Sequence, residues 1–255
     1  MPLNLKSRLS SFLARTPLAY IPVRVRSGMA RGARWTLLPH SAYWRGYEPD
    51  VDAAIRAIGP LKGAACWDLG AHFGIYTIGL AMAVGSSGEV ASFEPDPASH
   101  ARCARHISMN RLSWVKLFKA GVGEVAAQQN LIIAGGLGST SNHLRYEDEP
   151  IAVGEKFVEI KILVLDDLAA TGQIRPPVFI KVDVEGHGAK ALRGARYTLE
   201  RHRPALVMSF HSHFETDDTR ALLEPLGYHC FDTENNEVPW SAIVFRTVRL
   251  IASHP

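Results

Sequence analysis

The sequence that decides the fold contains Cys66-Trp67-Asp68-Leu69-Gly70-Ala71-His72-Phe73-Gly74, followed by Val90-Ala91-Ser92-Phe93-Glu94-Pro95. The apolar run before Asp68 predicts a strand, and the two glycines predict a tight turn into an apolar helix over residues 75–84. The second stretch predicts another strand, which ends at Glu94. We therefore expect a strand–turn–helix–strand unit in an open α/β sheet, and such sheets bind ligands at their carboxyl edge.

Two carboxylates at this edge indicate the type of ligand. A dinucleotide-binding turn requires Gly-x-Gly-x-x-Gly, whereas this turn runs from Asp68 through Gly70 to Gly74 and lacks the middle glycine. Asp68 would repel a phosphate but attract an ammonium group, and a carboxylate such as Glu94 accepts hydrogen bonds from a ribose diol. These two acids together favour S-adenosylmethionine. The alternative is a pair of ordinary strand-end carboxylates beside a turn.

The sequence resembles the FkbM-type methyltransferases, a family of S-adenosylmethionine-dependent enzymes that mostly methylate hydroxyl oxygens. The resemblance covers roughly residues 48–231, and it is carried by residues 67–74, 93–95, 110, 165–168, 180–186 and 192–195. Its most specific part is Lys181-x-Asp183-x-Glu185-Gly186, which follows Leu-Asp-Asp-Leu at residues 165–168. The resemblance implies a class I methyltransferase sheet of seven strands, whose last strand pair is a reversed hairpin.

The order of the predicted elements supports one α/β fold. Strands and helices alternate along most of the chain, which predicts a Rossmann-like, doubly wound sheet with a parallel centre. One helix is expected over residues 189–202, and the last two strands over residues 228–232 and 242–247. We expect residues 1–47 to form an N-terminal helix (residues 3–14) and hairpin extension, a lid or dimer element, and residues 48–255 to form the methyltransferase domain.

Composition limits the partners and the compartment. The chain has 255 residues, of which 47% are hydrophobic, and its net charge of +3 is too small to indicate nucleic-acid binding. The segment before Glu48 is basic, but proline and arginine interrupt its apolar runs, so stable membrane insertion is not expected. Three scattered cysteines without metal-ligand spacing favour a reduced, cytoplasmic protein. A homodimer is left open.

The expected cofactor contacts lie on the glycine turn, at the ends of the second and third strands, and at the exit of the fourth. They are Asp68, Gly70, Ala71, His72, Gly74, Glu94, Pro95, Ala120, Gly121 and Asp183.

The candidate catalytic residues Asp183, Glu185 and His187 alternate at the exit of the fourth parallel strand, beside the expected methyl group. Asp183 or His187 is the candidate general base. Asp183 with Glu185 is a candidate divalent-cation site, which we favour less because two carboxylates are a thin ligand set. A purely structural pair of Lys181 and Asp183 is the alternative.

The acceptor side is the least defined part of the sequence. The candidate substrate contacts are Tyr47, Ser139, Asn142, His211 and His213. Gly188 and Ser209 stand where the family pattern commonly has acids, which leaves the acceptor and the base open. The leading hypothesis is O-methylation of a sugar or another small molecule. The alternatives are a non-catalytic cofactor-binding protein, motivated by Gly188 and Ser209, and a nicotinamide-dependent oxidoreductase, against which the missing glycine argues.

Overall fold

The computed structural model describes residues 21–36, 43, 46–134, 139, 142–144 and 156–253. The predicted helix over residues 3–14 lies outside these residues. The described strands and helices are, in chain order, β1 (Pro22–Arg24), β2 (Arg34–Thr36), α1 (Pro49–Arg56), β3 (Ala65–Leu69), α2 (Ile75–Val84), β4 (Glu89–Phe93), α3 (Pro97–Met109), β5 (Val115–Phe118), β6 (Gly121–Val122), β7 (Ala127–Ile132), β8 (His143–Leu144), β9 (Phe157–Leu163), α4 (Leu165–Ala170), β10 (Phe179–Val182), α5 (Gly188–Arg193), α6 (Arg196–His202), β11 (Ala205–Ser209), α7 (His213–Leu223), β12 (Tyr228–Phe231), β13 (Glu237–Val238) and β14 (Thr247–Ala252).

The main sheet has the order β13-β12-β14-β11-β10-β3-β4-β5. Its strands β5, β4, β3, β10 and β11 are parallel, and β14 runs antiparallel between β11 and β12. The predicted class I fold with its reversed hairpin is confirmed. The described sheet differs from the expected seven strands only by β13, a two-residue strand at the edge beside β12.

Both faces of the sheet are covered by hydrophobic clusters. Successive side chains of a strand point to opposite faces, and the central strands carry apolar side chains on both. Trp67 of β3 belongs to one hydrophobic cluster and its neighbour Cys66 to the other. Trp35 of the β1–β2 hairpin is fully buried in the second cluster. The described part of the N-terminal segment therefore packs directly on the sheet, while the domain boundary at residue 47 stays a prediction. Within the described residues, no helix combines the length and apolar character that crossing a bilayer requires.

Two element boundaries differ from the prediction. The helix expected over residues 189–202 is two helices, α5 and α6, and Gly194 between them lies so close to the Gly123 carbonyl that an added Cβ would meet it at 2.0 Å. The last strand lies at β14 instead of residues 242–247. Ile243 directly follows a short 3-10 helix, Trp240–Ala242, and is fully buried. The apolar residues that suggested a strand are therefore apolar because this turn is buried.

A second, small sheet with the order β6-β9-β7-β8 lies in the segment between β5 and α4. The sequence predicted β9 but not the others. Leu131, Leu144, Ile160 and Ile162 form a separate hydrophobic cluster within this sheet. Leu131 and Leu144 also line the cavity at the carboxyl edge of the main sheet, so the small sheet forms one side of the candidate site.

Candidate active site

A cavity opens where β3, β4 and β10 end, at the carboxyl edge of the main sheet. It brings together most of the predicted site residues, and those that line it are Tyr47, Gly70, Ala71, His72, Glu94, Pro95, Ala120, Gly121, Ser139, Asn142, Asp183, Glu185 and His187. We call residues 70–72 with Glu94 the β3/β4 wall. We call the lining residues Lys181, Asp183 and Glu185, together with His211 and Glu215, the β10/β11 wall; His211 and Glu215 belong to this group by their contacts and do not themselves line the cavity.

Glycine is required at the turn after β3. Gly70 has a φ of 85°, and an added Cβ would lie 1.9 Å from the carbonyl oxygen of Asp183. The backbone N–H groups of Gly70 and Ala71 both donate to the Phe93 carbonyl at 3.0 Å. The turn is therefore held by backbone contacts to β4 on one side and lies against the exit of β10 on the other.

Glu94 is buried on the β3/β4 wall with its two oxygens in defined positions. Oε2 accepts the backbone N–H of His72 at 2.6 Å, and Oε1 accepts that of Asp96 at 2.8 Å. Burial raises the pKa of Glu94 to about 7, although these two hydrogen bonds partly oppose the shift. Each carboxylate oxygen has about two acceptor positions, so each can accept one further hydrogen bond, and Glu94 lines the cavity.

Two predicted cofactor residues, Asp68 and Gly74, do not line this cavity. The Asp68 carboxylate is fully buried and accepts a hydrogen bond from Thr77 of α2 at 2.6 Å, because that side chain of β3 is directed toward the helix. Gly74 precedes α2 with a φ of 88°, and an added Cβ would lie 2.6 Å from the sulfur of Cys103. The structure thus gives both residues a place in the packing around the turn.

Lys181 links Asp183 of the β10/β11 wall to the buried Asp68 of β3. Its Nζ lies 3.2 Å from Oδ2 of Asp183 and 3.9 Å from Oδ1 of Asp68, and it lies over the Tyr76 ring. Burial alone would lower the pKa of Lys181, but the nearby carboxylates raise it above its ordinary value. Burial alone would raise the pKa of Asp183, but Lys181 and the hydrogen bond from His211 bring it down to about 2. Both groups are therefore charged at neutral pH.

The two histidines of the predicted His-x-His pair separate. His211 Nε2 lies 3.1 Å from Oδ1 of Asp183, and its Nδ1 lies 3.6 Å from Oε2 of Glu185. The hydrogen bond to Asp183 raises the pKa of His211. His213 is exposed at the start of α7, with its ring 5.8 Å from that of Phe245. The extended conformation that would place both on one side ends at Ser212, where the helix begins.

His187, the third candidate catalytic residue, is buried at the start of α5 and lines the cavity. On the opposite side, Tyr43 and Tyr47 lie with ring centroids 4.2 Å apart, and Tyr76 donates a hydrogen bond to Glu48 at 2.9 Å. Burial raises the pKa of Tyr43 to about 12, so its hydroxyl stays protonated. These rings give the cavity an aromatic side.

Comparison with known families decides the assignment of the chain. The profile of the Methyltransferase FkbM domain matches residues 68–230, which is more than half of the chain. The chain belongs to the FkbM methyltransferase family. The matched region contains the carboxyl ends of β3, β4, β10 and β11, and therefore both walls of the cavity.

The individual proteins that resemble this chain share low sequence identity with it. The hexuronic acid methyltransferase AglP of Haloferax volcanii is 25% identical over 164 residues, which are 62% of this chain and 60% of that protein. The crystal structure of methyltransferase FkbM from Methylobacillus flagellatus is 21% identical, with a TM-score of 0.49, and covers 73% of this chain and 43% of its own. An S-adenosylmethionine-dependent O-methyltransferase of Thermotoga maritima gives 13% identity, a TM-score of 0.48 and coverages of 82% and 67%. The chain thus spans less than two thirds of the first two proteins.

The two departures from the usual FkbM pattern have local partners. An added Cβ at Gly188 would lie 2.7 Å from Oε1 of Glu215, which accepts the Gly188 N–H at 2.8 Å. Glu215 thus brings a carboxylate from α7 close to the position that lacks an acid. The hydroxyl of Ser209 is hydrogen-bonded to that of Thr247 on the neighbouring β14 at 2.9 Å.

Sequence reasoning missed Glu215 and His143. Glu215 stands three residues after Ser212, which caps α7 by accepting the Glu215 N–H at 3.1 Å. This Ser-x-x-Glu spacing is a helix-start signal, but the Glu215 side chain accepts hydrogen bonds from His211 and Gly188 instead of from the cap residue. His143 belongs to the unpredicted strand β8 and lines the cavity. Only the folded arrangement connects these residues with the site.

Proposed function

We propose that this FkbM-family protein transfers a methyl group from S-adenosylmethionine to a hydroxyl oxygen of a sugar. The observation that carries the proposal is the buried Glu94 carboxylate on the cavity wall, one strand from the glycine turn. A buried carboxylate with acceptor positions directed at a cavity suits the ribose diol of a nucleoside. The family assignment supports methyl transfer over the nicotinamide alternative.

The β3/β4 wall would hold the nucleoside part of the cofactor, with Glu94 on the ribose and the small residues Ala120 and Gly121 beside the base. When bound, the cofactor supplies an electrophilic methyl group on a positively charged sulfur. Asp183 remains ionised at neutral pH because its pKa is about 2. It therefore keeps a negative charge at the carboxyl edge of the sheet.

The acceptor hydroxyl must lose its proton as its oxygen bonds to the methyl carbon and the carbon–sulfur bond breaks. A general base works best with a pKa near the working pH. The low pKa of Asp183 makes it a weak proton acceptor, so we assign it an electrostatic role. Glu185, His187 and His211 are further titratable groups close to Asp183 at the same edge.

A hexuronic acid is the acceptor class that we favour. One relative carries the name hexuronic acid methyltransferase, and the cavity is also lined by the polar residues Tyr47, Ser139, Asn142 and His143. Hydroxyl, amide and imidazole groups of this kind form hydrogen bonds with the hydroxyl groups and the carboxylate of a sugar acid.

The test combines cofactor binding with product analysis. The purified chain is titrated with S-adenosylmethionine in a calorimeter, then incubated with the methyl glycosides of glucuronic acid, galacturonic acid and glucose. We expect cofactor binding, release of S-adenosylhomocysteine and a methyl ether on a uronic acid. Binding of nicotinamide dinucleotides alone would favour the oxidoreductase alternative. Cofactor binding without transfer to any hydroxylated acceptor would favour the non-catalytic one.

A further inference from the structure

We infer that Asp183, Glu185 and His211 form a binding site for a divalent cation that activates the acceptor hydroxyl. This inference rests on the proposed function. One ligand atom from each of the three side chains lies within 4.8 Å of the other two. Asp183 and Glu185 follow β10, and His211 follows the neighbouring parallel strand β11, so strand pairing brings them together. The sequence offered only the two carboxylates, and the fold adds the third ligand.

The donor set fits a divalent cation of the Mg²⁺ or Mn²⁺ type. Carboxylate oxygens suit both ions, and an imidazole nitrogen shifts the preference toward the transition metal. Bonds of about 2.1 Å place two ligands of one ion at most about 4.2 Å apart. Small side-chain rotations would therefore close the three groups around an ion. With three protein ligands, a six-coordinate ion keeps about three positions for acceptor oxygens and water.

The contacts of His211 favour a ligand over a free base. Each ring nitrogen of His211 faces a carboxylate, with Asp183 at 3.1 Å and Glu185 at 3.6 Å. A general base needs a ring nitrogen directed at the acceptor hydroxyl. A cation placed among these three groups would instead be held by one ring nitrogen of His211 and one oxygen of each carboxylate, and would offset the charge of the two carboxylates.

Neighbouring groups hold two of the three ligands, Asp183 and His211, in place. Lys181 binds Oδ2 of Asp183 at 3.2 Å, while Oδ1 of the same carboxylate faces His211. Glu215 accepts the backbone N–H of His211 at 2.8 Å, which fixes the segment that carries the imidazole. Metal sites depend on such supporting contacts, whose loss typically reduces affinity about 10–100-fold.

Asp183 and Glu185 line the cavity, and the His211 side chain lies against both of them. The side chains of Asp183, Glu185 and His211 are 26%, 38% and 30% exposed, so an ion and an acceptor can reach them. A bound hydroxyl would acidify on the cation and release its proton to solvent. The resulting alkoxide forms the oxygen–carbon bond while the carbon–sulfur bond of the sulfonium breaks. The products are the methyl ether, S-adenosylhomocysteine and one proton.

The test measures Mn²⁺ binding directly, by the loss of the electron paramagnetic resonance signal of free Mn²⁺ on adding the chelator-treated full chain. We expect one ion per chain, with at least about tenfold weaker binding in Glu185→Gln and in His211→Gln. His213→Gln is the matched control, because this histidine is two residues away and exposed, and it should bind Mn²⁺ as the wild type does. Thermal unfolding verifies that each variant is folded. If His211→Gln does not fold, the partly exposed Glu185→Gln decides.

Methyl transfer to a uronic acid glycoside, with and without a chelator, separates this inference from the proposed function. Absence of Mn²⁺ binding by the wild type, or binding that both variants leave unchanged, would overturn the cation site. Transfer that persists in excess chelator would also overturn it and leave the proposed function standing. Mn²⁺ binding by a chain that does not bind S-adenosylmethionine would support the cation site and reject the function.

Discussion

The two walls of the cavity are held in different ways. The β3/β4 wall is fixed by backbone geometry: N–H groups of the glycine turn donate to the Phe93 carbonyl and, at His72, to Glu94. The β10/β11 wall is fixed by charged side chains that meet across strands, with Lys181, Asp183 and His211 in one chain of contacts. We therefore expect the first wall to tolerate a change of charge elsewhere in the site, and the second to depend on every charge in it.

The largest effect should come from removing the Lys181 ammonium group, which links the Asp183 carboxylate to Asp68 of β3. Lys181→Met leaves the carboxylates of Asp68 and Asp183 without their buried ammonium partner. Breaking a buried ion pair by removing one partner costs about 3–5 kcal/mol, and we expect urea denaturation to show a loss of this size in the free energy of unfolding. Lys116→Met is the matched control, because the Lys116 ammonium group is 43% exposed and water can replace it beside Glu89; pairs with such an exposed partner are worth about 0–1 kcal/mol. Equal losses in the two variants would contradict the linking role of Lys181.

The next effect concerns only the β3/β4 wall. Glu94→Ala removes the proposed acceptor of the ribose hydroxyls, and each lost charge-assisted hydrogen bond costs about 1.5–3 kcal/mol, or roughly 10–100-fold in affinity for S-adenosylmethionine. Calorimetry measures this loss, and thermal unfolding verifies that the variant is folded.

Glu89→Ala is the control for Glu94→Ala, since Glu89 is also a buried acid but lies at the opposite end of β4. It should reduce stability, because it accepts the Arg175 N–H and pairs with Lys116, but leave cofactor affinity unchanged. An unchanged affinity in Glu94→Ala would remove the ribose assignment.

The β3/β4 wall could be predicted from sequence because its parts are local. The apolar run of β3, the glycine turn and the start of α2 are consecutive, and the acid that closes β4 is the next strand-end residue. Gly70 is an example. A glycine in a turn predicts a backbone position with positive φ, and Gly70 has one. The same locality explains why the order of strands and helices was confirmed for the main sheet.

The β10/β11 wall could not be assembled from sequence to the same extent. Asp183 and Glu185 stand in a specific motif, but the partnership of His211 with both depends on the adjacency of β10 and β11. Glu215 reaches the wall from a helix, and its spacing from Ser212 indicated only where that helix starts. The two-residue strands β6 and β8 are too short for any periodicity to reveal.

Protonation of Glu94 offers a smaller, pH-dependent test of the same wall. Its pKa of about 7 in the cofactor-free protein means that it binds a proton below neutral pH, whereas hydrogen bonds from ribose hydroxyls favour the carboxylate. Binding should therefore release a proton, and affinity should be about tenfold weaker at pH 6 than at pH 8. Calorimetry in buffers of different ionisation enthalpy measures the proton release.

Glu94→Gln should remove this pH dependence, and a wild-type affinity that strengthens toward low pH would contradict the assignment.

The free energy of unfolding of the cofactor-free protein should depend on pH in the opposite direction from cofactor affinity. Because the folded pKa lies above the ordinary value of 4.5, the protonated form stabilises the cofactor-free protein. This contribution to the free energy of unfolding is complete below about pH 4.5 and is lost as the pH rises through about 7.

The smallest predicted effect is a difference in the free energy of unfolding between substitutions of two neighbouring residues, Ser212 and His213. Ser212 caps α7, the helix that carries Glu215, and Glu215 in turn fixes the backbone of His211. Ser212→Ala should lower the free energy of unfolding by about 1 kcal/mol, the usual cost of a lost helix cap. His213→Ala, one residue further along, should change it by less than about 0.5 kcal/mol because this side chain is exposed. Urea denaturation of both variants gives the comparison. Equal effects would mean that the cap does not stabilise α7, and that Glu215 holds the position of His211 without it.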